Sequence, residues 1–269
     1  MGAVLLGRAR AVQPEGLIPA RVAVEHQGFY ELLAEVGEFG GVPSGRLKFD
    51  GEEPAVGDWV AVEKLPGERK AVIRAVLPRR TKFSRKESWK RTAEQVVAAN
   101  VDVVFLVSDL AHDFNVRRLE RYLTAAWESG ANPVVVLTKS DLVDDVPGRV
   151  AEAQAVALGL PVHPVSNVTG EGLDALAEYL VVGRTVALLG SSGVGKSTLI
   201  NRLLGRELLP TAEVSAGGRG QHTTTRRELV LLPGGGLLRT LAVRQDARLR
   251  SEQRKTWRRL ERSRRRESY

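Results

Sequence analysis

The 269-residue chain contains no cysteine, which removes disulfides and every Cys-ligated zinc or iron–sulfur site. Nothing in its composition points to an oxidising compartment. Long apolar runs are missing too. No stretch approaches 18 uninterrupted apolar residues, and Met1 to Arg10 carries only a few before Arg8 and Arg10, so neither a membrane span nor a signal peptide is expected. Internal repeats are absent. The expectation is a soluble, cytoplasmic monomer with no membrane partner.

Against these absences stand 43% hydrophobic residues and enough length for two ordinary domains. The net charge of +8 is unevenly placed. From Leu241 to Tyr269 there are eleven Lys or Arg against four Asp or Glu, a net of +7, which leaves the first 240 residues almost neutral. Such a block attracts a polyanion through counterion release, and RNA is the abundant cytoplasmic one. A solvated basic helix is the alternative reading of this tail.

Residues 1–78 read as short strands between turns: Arg21 to Val24, Phe29 to Leu33, Arg46 to Phe49, Asp58 to Val62 and Ala71 to Val76. With no helix-period segment among them, they suggest a small all-β, OB-like barrel. Its role is either that of an accessory domain or RNA binding. Residues 79–95 read as a basic linker, in which Arg79, Arg80, Lys82, Arg85, Lys86, Lys90 and Arg91 are interleaved with Phe83 and Trp89. From 96 to 240 apolar runs alternate with helical patterns. Val101 to Val107 and Pro133 to Leu137 are near-continuous β-branched runs, as in strands buried on both faces of a parallel sheet. Between them Val116 to Ser129 places Leu119, Tyr122, Leu123 and Ala126 on one helical face. Pro161 to Val165, Gly172 to Leu180 and Thr185 to Leu189 continue as strand, helix and strand. Arg227 to Leu232 and Gly236 to Leu238 form a hairpin about Pro233-Gly234-Gly235. The sum is a doubly wound α/β domain.

Two motifs carry chemistry. Gly190-Ser191-Ser192-Gly193-Val194-Gly195-Lys196-Ser197-Thr198 satisfies G-x-x-x-x-G-K-[ST] in full, after a strand and before a helical segment. Its glycines let backbone N–H groups turn toward a β-phosphate. Lys196 reaches the β- and γ-phosphates, and the Ser197 hydroxyl serves Mg²⁺. The second motif names the base. Thr138-Lys139-Ser140-Asp141, at the end of a strand, resembles the [NT]-K-x-D element of GTPases, whose Asp accepts from guanine N1–H and the 2-amino group. In that resemblance Lys139 lies along the base plane and Thr138 ties the loop to the P-loop. Ser166-Asn167 is similar to the next base-contacting loop, with Asn where Ala is commoner.

Ordinary GTPases place the P-loop first and the base reader last; here the order is reversed. Base reader, second base loop, P-loop and then Gly218-Arg219-Gly220-Gln221-His222-Thr223-Thr224-Thr225 describe a circularly permuted GTPase. Strand-end loops meet in space whatever the connectivity, so the site survives permutation. Behind an N-terminal β-barrel, this order resembles the ribosome small-subunit-dependent GTPase A family. The match runs over nearly all of residues 1–238 and includes Gly57-Asp58-Trp59-Val60 and Arg227-Glu228-Leu229. The resemblance implies an OB-fold barrel, GTP and GDP as ligands, slow GTP hydrolysis stimulated by the small (30S) ribosomal subunit, contact with its rRNA, and late subunit maturation. It makes the Thr-rich segment switch I, gives Thr223 or Thr224 to the Mg²⁺ shell, and makes His222 a candidate for positioning water.

The chain departs from that family at two points. Where a D-T-P-G switch II should follow Leu238, the sequence reads Arg239-Thr240-Leu241-Ala242, and no Asp-x-x-Gly follows. The family's zinc-binding domain uses Cys and His ligands, and cysteine is absent here. The simplest reading is an internal deletion that joins the strand to a basic helical tail, residues 241–269. Switch II supplies an Asp that holds a Mg²⁺-bound water and a Gly N–H for the γ-phosphate. Its absence predicts retained nucleotide binding, weakened hydrolysis, and little discrimination between GTP and GDP.

Overall fold

The structure is a computed structural model and describes residues 16–86, 94–207, 228–233 and 235–241. The first five strands, β1 (Ile18–Glu25), β2 (Tyr30–Ala34), β3 (Gly37–Pro43), β4 (Trp59–Lys64) and β5 (Lys70–Val76), close into a barrel in the order β1-β2-β3-β5-β4. Ala20, Val22, Leu32, Val60, Val62, Ala71 and Ile73 fill it.

The strand count of five is as anticipated, but its membership differs. Arg46 to Phe49 is not a strand. It lies in helix α1 (Gly45–Phe49), whose N-cap Ser44 accepts a hydrogen bond from Leu47 N at 3.3 Å. A Ser ahead of a segment that buries only Leu47 is a helix start rather than a half-buried strand. The missing strand is β3, whose Gly-Glu-Phe-Gly-Gly-Val-Pro sequence reads as a turn. Its glycines serve close approach: a Cβ on Gly40 would stand 2.5 Å from Phe29 Cζ, and one on Gly41 2.5 Å from Leu32 Cδ1.

The stretch read as a linker also differs from expectation. β6 (Lys82–Lys86) pairs antiparallel with β7 (Glu94–Ala99), so part of it is ordered sheet. Its runs of charge disguised a strand whose Phe83 is buried against the next domain.

The second unit is a six-stranded sheet in the order β10-β9-β8-β11-β13-β12. Its strands are β8 (Val103–Asp109), β9 (Asn132–Thr138), β10 (Val162–Pro164), β11 (Thr185–Leu189), β12 (Leu229–Leu231) and β13 (Leu237–Leu241). All neighbours run parallel except β12 and β13, which form an antiparallel hairpin. Every residue of β8 and β11 is buried, the condition that their uninterrupted apolar sequences meet.

Helix α2 (Val116–Ser129) has the expected bounds. Asn115 caps its start by accepting from Arg118 N at 3.0 Å, and Gly130 ends it at φ +82°. Its Leu119, Tyr122, Leu123 and Ala126 cover one face of the sheet together with Ala153 and Ala157 of α3 (Val146–Ala157). The other face is covered by Leu199, Ile200 and Leu204 of α4 (Lys196–Leu204). Helix α3 escapes a sequence reading because Pro147 and Gly148 occupy its first turn and only two alanines are buried. Leu173–Tyr179 is a 3₁₀ helix inside the segment expected to be helical.

Barrel and sheet share a polar joint. Gly57, at φ +94°, sits where any Cβ would strike the Ala99 carbonyl. The buried Asp58 accepts two hydrogen bonds from Arg79, at 2.8 and 2.6 Å, and one from Ala55 N at 2.7 Å. Arg21 reaches from the barrel over the Trp59 ring to Asn100 O and Thr185 Oγ1, both at 3.1 Å. The β12–β13 hairpin adds Leu229 and Leu237 to the barrel's core. Among the described residues no helix is long and apolar enough to cross a membrane.

Candidate nucleotide-binding site

The loop from Gly190 to Gly195 links β11 to α4 at the carboxyl end of the parallel sheet, where open α/β sheets bind ligands. Gly193 and Gly195 adopt φ of +81° and +89°, a region that residues with side chains rarely enter. Gly190 is constrained differently, because a Cβ there would overlap the Val107 carbonyl oxygen and press within 3.1 Å of Val194 Cγ2. Ser191 is held from the side by Tyr122, with which it shares a hydrogen bond of 3.2 Å. Ser192 is exposed and Val194 is buried. No side chain caps the start of α4, so its first turn presents backbone N–H groups and the positive end of the helix dipole. Lys196 Nζ donates to the loop's own carbonyls, Gly190 O at 3.0 Å and Ser191 O at 2.5 Å. Burial lowers its pKa from 10.5 to about 8. Ser197 and Thr198 follow in the same first turn.

Two strands away, Thr138 ends β9. Fully buried, its hydroxyl donates to Val194 O at 2.7 Å, with Ser108 O at 3.2 Å, and so joins the base-reading segment to the P-loop across 56 residues of sequence. Lys139 is left-handed at φ +60° and starts a 3₁₀ turn, Ser140–Leu142, in which Asp141 is exposed. Ser140 N donates to Val165 O at 3.2 Å. Beyond β10, Ser166 Oγ accepts from Val168 N and Thr169 N, at 3.1 and 3.0 Å, and fixes a tight loop. Asn167 Nδ2 donates to Gly195 O at 3.2 Å, while its Oδ1 is buried without a hydrogen-bond partner.

Thus Thr138 to Asp141, Ser166, Asn167 and Gly190 to Thr198 are brought together. His222, Thr223 and Thr224 lie outside the described residues. Three contributors have no motif to mark them. Arg202, in the last turn of α4, donates to Asn167 O at 2.7 Å and Val168 O at 2.8 Å. Tyr122 reads in sequence only as part of an apolar stripe. Asp109, at the end of β8, forms an ion pair with Lys139.

A family model described as RsgA GTPase matches residues 76–240. The chain belongs to the RsgA GTPase family. It is 51% identical over 246 residues to the small ribosomal subunit biogenesis GTPase RsgA of Opitutus terrae, covering 86% of this chain and 67% of that protein. With the protein of the same name from Syntrophotalea carbinolica the identity is 46%, covering 83% and 64%. The chain therefore spans about two thirds of the length of the curated relatives it matches. Among solved structures it is similar to YjeQ from Thermotoga maritima, with a TM-score of 0.63 and 27% identity, covering 83% of this chain and 74% of that one. It shares its fold with YloQ, a circularly permuted GTPase, at a TM-score of 0.58 and 20% identity, with 83% and 70% covered.

For an RsgA GTPase the residues present fit a nucleoside diphosphate: an uncapped helix start, two left-handed glycines, a half-buried ammonium and a spare buried acceptor at Asn167. Mg²⁺ would fit as an ion carried largely by phosphates and water, and Ser197, in the first turn of α4, is the residue that would hold it. Among the described residues there is no cluster of three His, Asp or Glu that would hold a cation by itself. Such an ion would supply neutralisation of phosphate charge. β13 runs beside β11 with Leu241 opposite Leu189. Arg239 is buried and donates to Val56 O of the barrel at 2.7 Å and to Val97 O of β7, so it is engaged with the joint between barrel and sheet.

Proposed function

We propose that this chain is a guanine-nucleotide-binding GTPase that acts in biogenesis of the small ribosomal subunit, with contact to its rRNA and slow turnover stimulated by the subunit. The observation that carries the binding part is the Thr138 hydroxyl on Val194 O, which locks a guanine reader and a phosphate loop into one unit. The ribosomal part is supported by the names of the relatives and by a basic tail suited to RNA. In this reading the nucleotide is held by Thr138, Lys139, Ser140, Asp141, Ser166 and Asn167 at the base and by Gly190 to Thr198 at the phosphates. Ser197 and one of Thr223 or Thr224 serve Mg²⁺, and His222 positions water.

The test is displacement of a fluorescent GDP by GDP, GTP and ATP, followed by phosphate release from GTP with and without small subunits. Displacement by GDP and GTP but not by excess ATP supports the reading, and equal displacement by ATP overturns it.

A second reading concerns the chemical step and rests on Arg239. A cation tied to the carbonyls of Val56 and Val97 stands where the family places an acidic switch, and the sequence of β13 offers no acidic residue to hold a Mg²⁺-bound water. In that reading the chain is a non-hydrolysing, nucleotide-dependent ribosome-binding module. It predicts subunit co-sedimentation with no stimulated phosphate release.

A further inference from the structure

We propose that Asp109 is a positioning residue for guanine recognition, acting by clamping Lys139 in its base-reading conformation before the nucleotide arrives. The inference rests on the guanine-binding reading above. It concerns a residue that belongs to neither base loop and to no phosphate motif.

Asp109 is the last residue of β8, the strand between the base-reading strand β9 and the P-loop strand β11. Its side chain is almost wholly buried, so both carboxylate oxygens need partners. Oδ1 accepts from Ala111 N at 2.7 Å and His112 N at 3.0 Å, which closes the turn after the strand and fixes the carboxylate's orientation. Oδ2 is thereby aimed at β9, where the Lys139 ammonium donates to it. The imidazole of His112, which is exposed, lies 3.7 Å from the same Oδ2. One more tie, Leu110 N to Thr138 O at 3.0 Å, holds the same turn against the base reader's first residue.

Lys139 needs such a clamp. It is one of three non-glycine residues at positive φ among those described, a conformation that carries a backbone penalty and persists only when its surroundings fix it. That conformation sends the chain into the 3₁₀ turn which presents Asp141. Asp109 therefore acts on the base edge through Lys139 in two ways. It holds the lysine's stem as a wall for the base plane, and it keeps the turn wound so that Asp141 faces N1–H and the 2-amino group. Burial pushes the Asp109 carboxyl pKa up. The Lys139 ammonium and the two N–H donors outweigh that and leave it below its ordinary value, so the clamp is charged at neutral pH.

The experiment is a double-mutant cycle on the full chain, read by the Kd for fluorescent GDP and by the ratio of GDP to inosine diphosphate affinity. Asp109→Asn keeps an oxygen for the turn and removes the negative charge that faces Lys139. The expected result is a loss of GDP affinity of about tenfold or more. The preference for GDP over inosine diphosphate should fall with it, a change in base selectivity that the accompanying drop in melting temperature from a broken buried ion pair does not by itself produce. In a Lys139→Met background the same change should have no further effect, because its route is gone. Unchanged GDP affinity in D109N, or a loss that adds in full to that of K139M, overturns the proposal. If D109N does not fold, Asp109→Glu displaces the charge by one methylene, and an unchanged Kd and base preference there overturn it equally. Failure of the unmodified chain to bind GDP would instead defeat the guanine reading itself, a result separable from the cycle.

Discussion

Raising the pH should weaken GDP binding, and the size of the effect follows from Lys196. In the free protein its half-buried ammonium packs against Gly190 O and Ser191 O, and desolvation lowers its pKa from 10.5 to about 8. A bound diphosphate places negative charge beside it and raises that pKa well above 9. Binding therefore takes up a proton wherever the free lysine has lost one. With a free-state pKa of 8, the apparent Kd scales as one plus the ratio of neutral to charged lysine. Between pH 7 and pH 9 it should rise by about tenfold, or ~1.4 kcal/mol. At pH 8 about half a proton should enter with each GDP, which calorimetry in buffers of different ionisation enthalpy reads directly. The free protein should respond with the opposite sign. Its folded pKa lies below the unfolded value, so the unfolded chain holds more protons between about pH 8 and 10.5. Stability must then rise with pH across that window. Lys196→Met should bind GDP weakly at every pH, without the slope. A GDP affinity that is flat or rising from pH 7 to 9, with no proton uptake at pH 8, would refute the assignment of Lys196 as the phosphate-binding cation.

Three further outcomes follow from the geometry. Thr138→Val is close in shape but strips the donor from Val194 O, and leaving that buried carbonyl unpaired should cost about 1–3 kcal/mol in a urea titration, with GDP affinity falling alongside; wild-type stability would show the bond to be idle. Gly190→Ala forces a Cβ onto the Val107 carbonyl, so the loop must shift and GDP binding should fall by at least about tenfold in a fluorescence titration, while far-UV circular dichroism stays native. Arg239→Met abandons the carbonyls of Val56 and Val97 at the barrel joint, and denaturant unfolding should show a loss of about 2–4 kcal/mol with the GDP site intact; a loss of GDP affinity at unchanged stability would place Arg239 in the nucleotide site instead.

Much of the molecule was legible because local chemistry and global position coincide there. The spacing of the glycines, lysine and hydroxyls from Gly190 to Thr198 marks a phosphate loop on its own, and β8, β9 and β11 announce their burial through unbroken apolar runs. Helix α2 carries both caps and a stripe. Legibility failed where local composition and tertiary role part company. β3 is glycine-rich because Phe29 and Leu32 press on it from another strand, a reason no window of its own sequence contains. β6 hides a pairing strand within a run of charge. In α3, Pro147 and Gly148 mask a helix held by its neighbours more than by its own pattern.

The sequence by itself determined which ligand chemistry the chain carries and in what order, since motif spacing and strand-end placement are properties of the chain. Only the tertiary structure decided how the pieces act as one site. Thr138 meets Val194 across 56 residues, Asn167 meets Gly195, Arg202 grips the second base loop, and Asp109 grips Lys139. These are contacts between strand ends and helix termini that converge because the sheet is parallel. A single side chain such as Asp109, an unremarkable acid in the sequence, acquires its meaning from what lies one strand away.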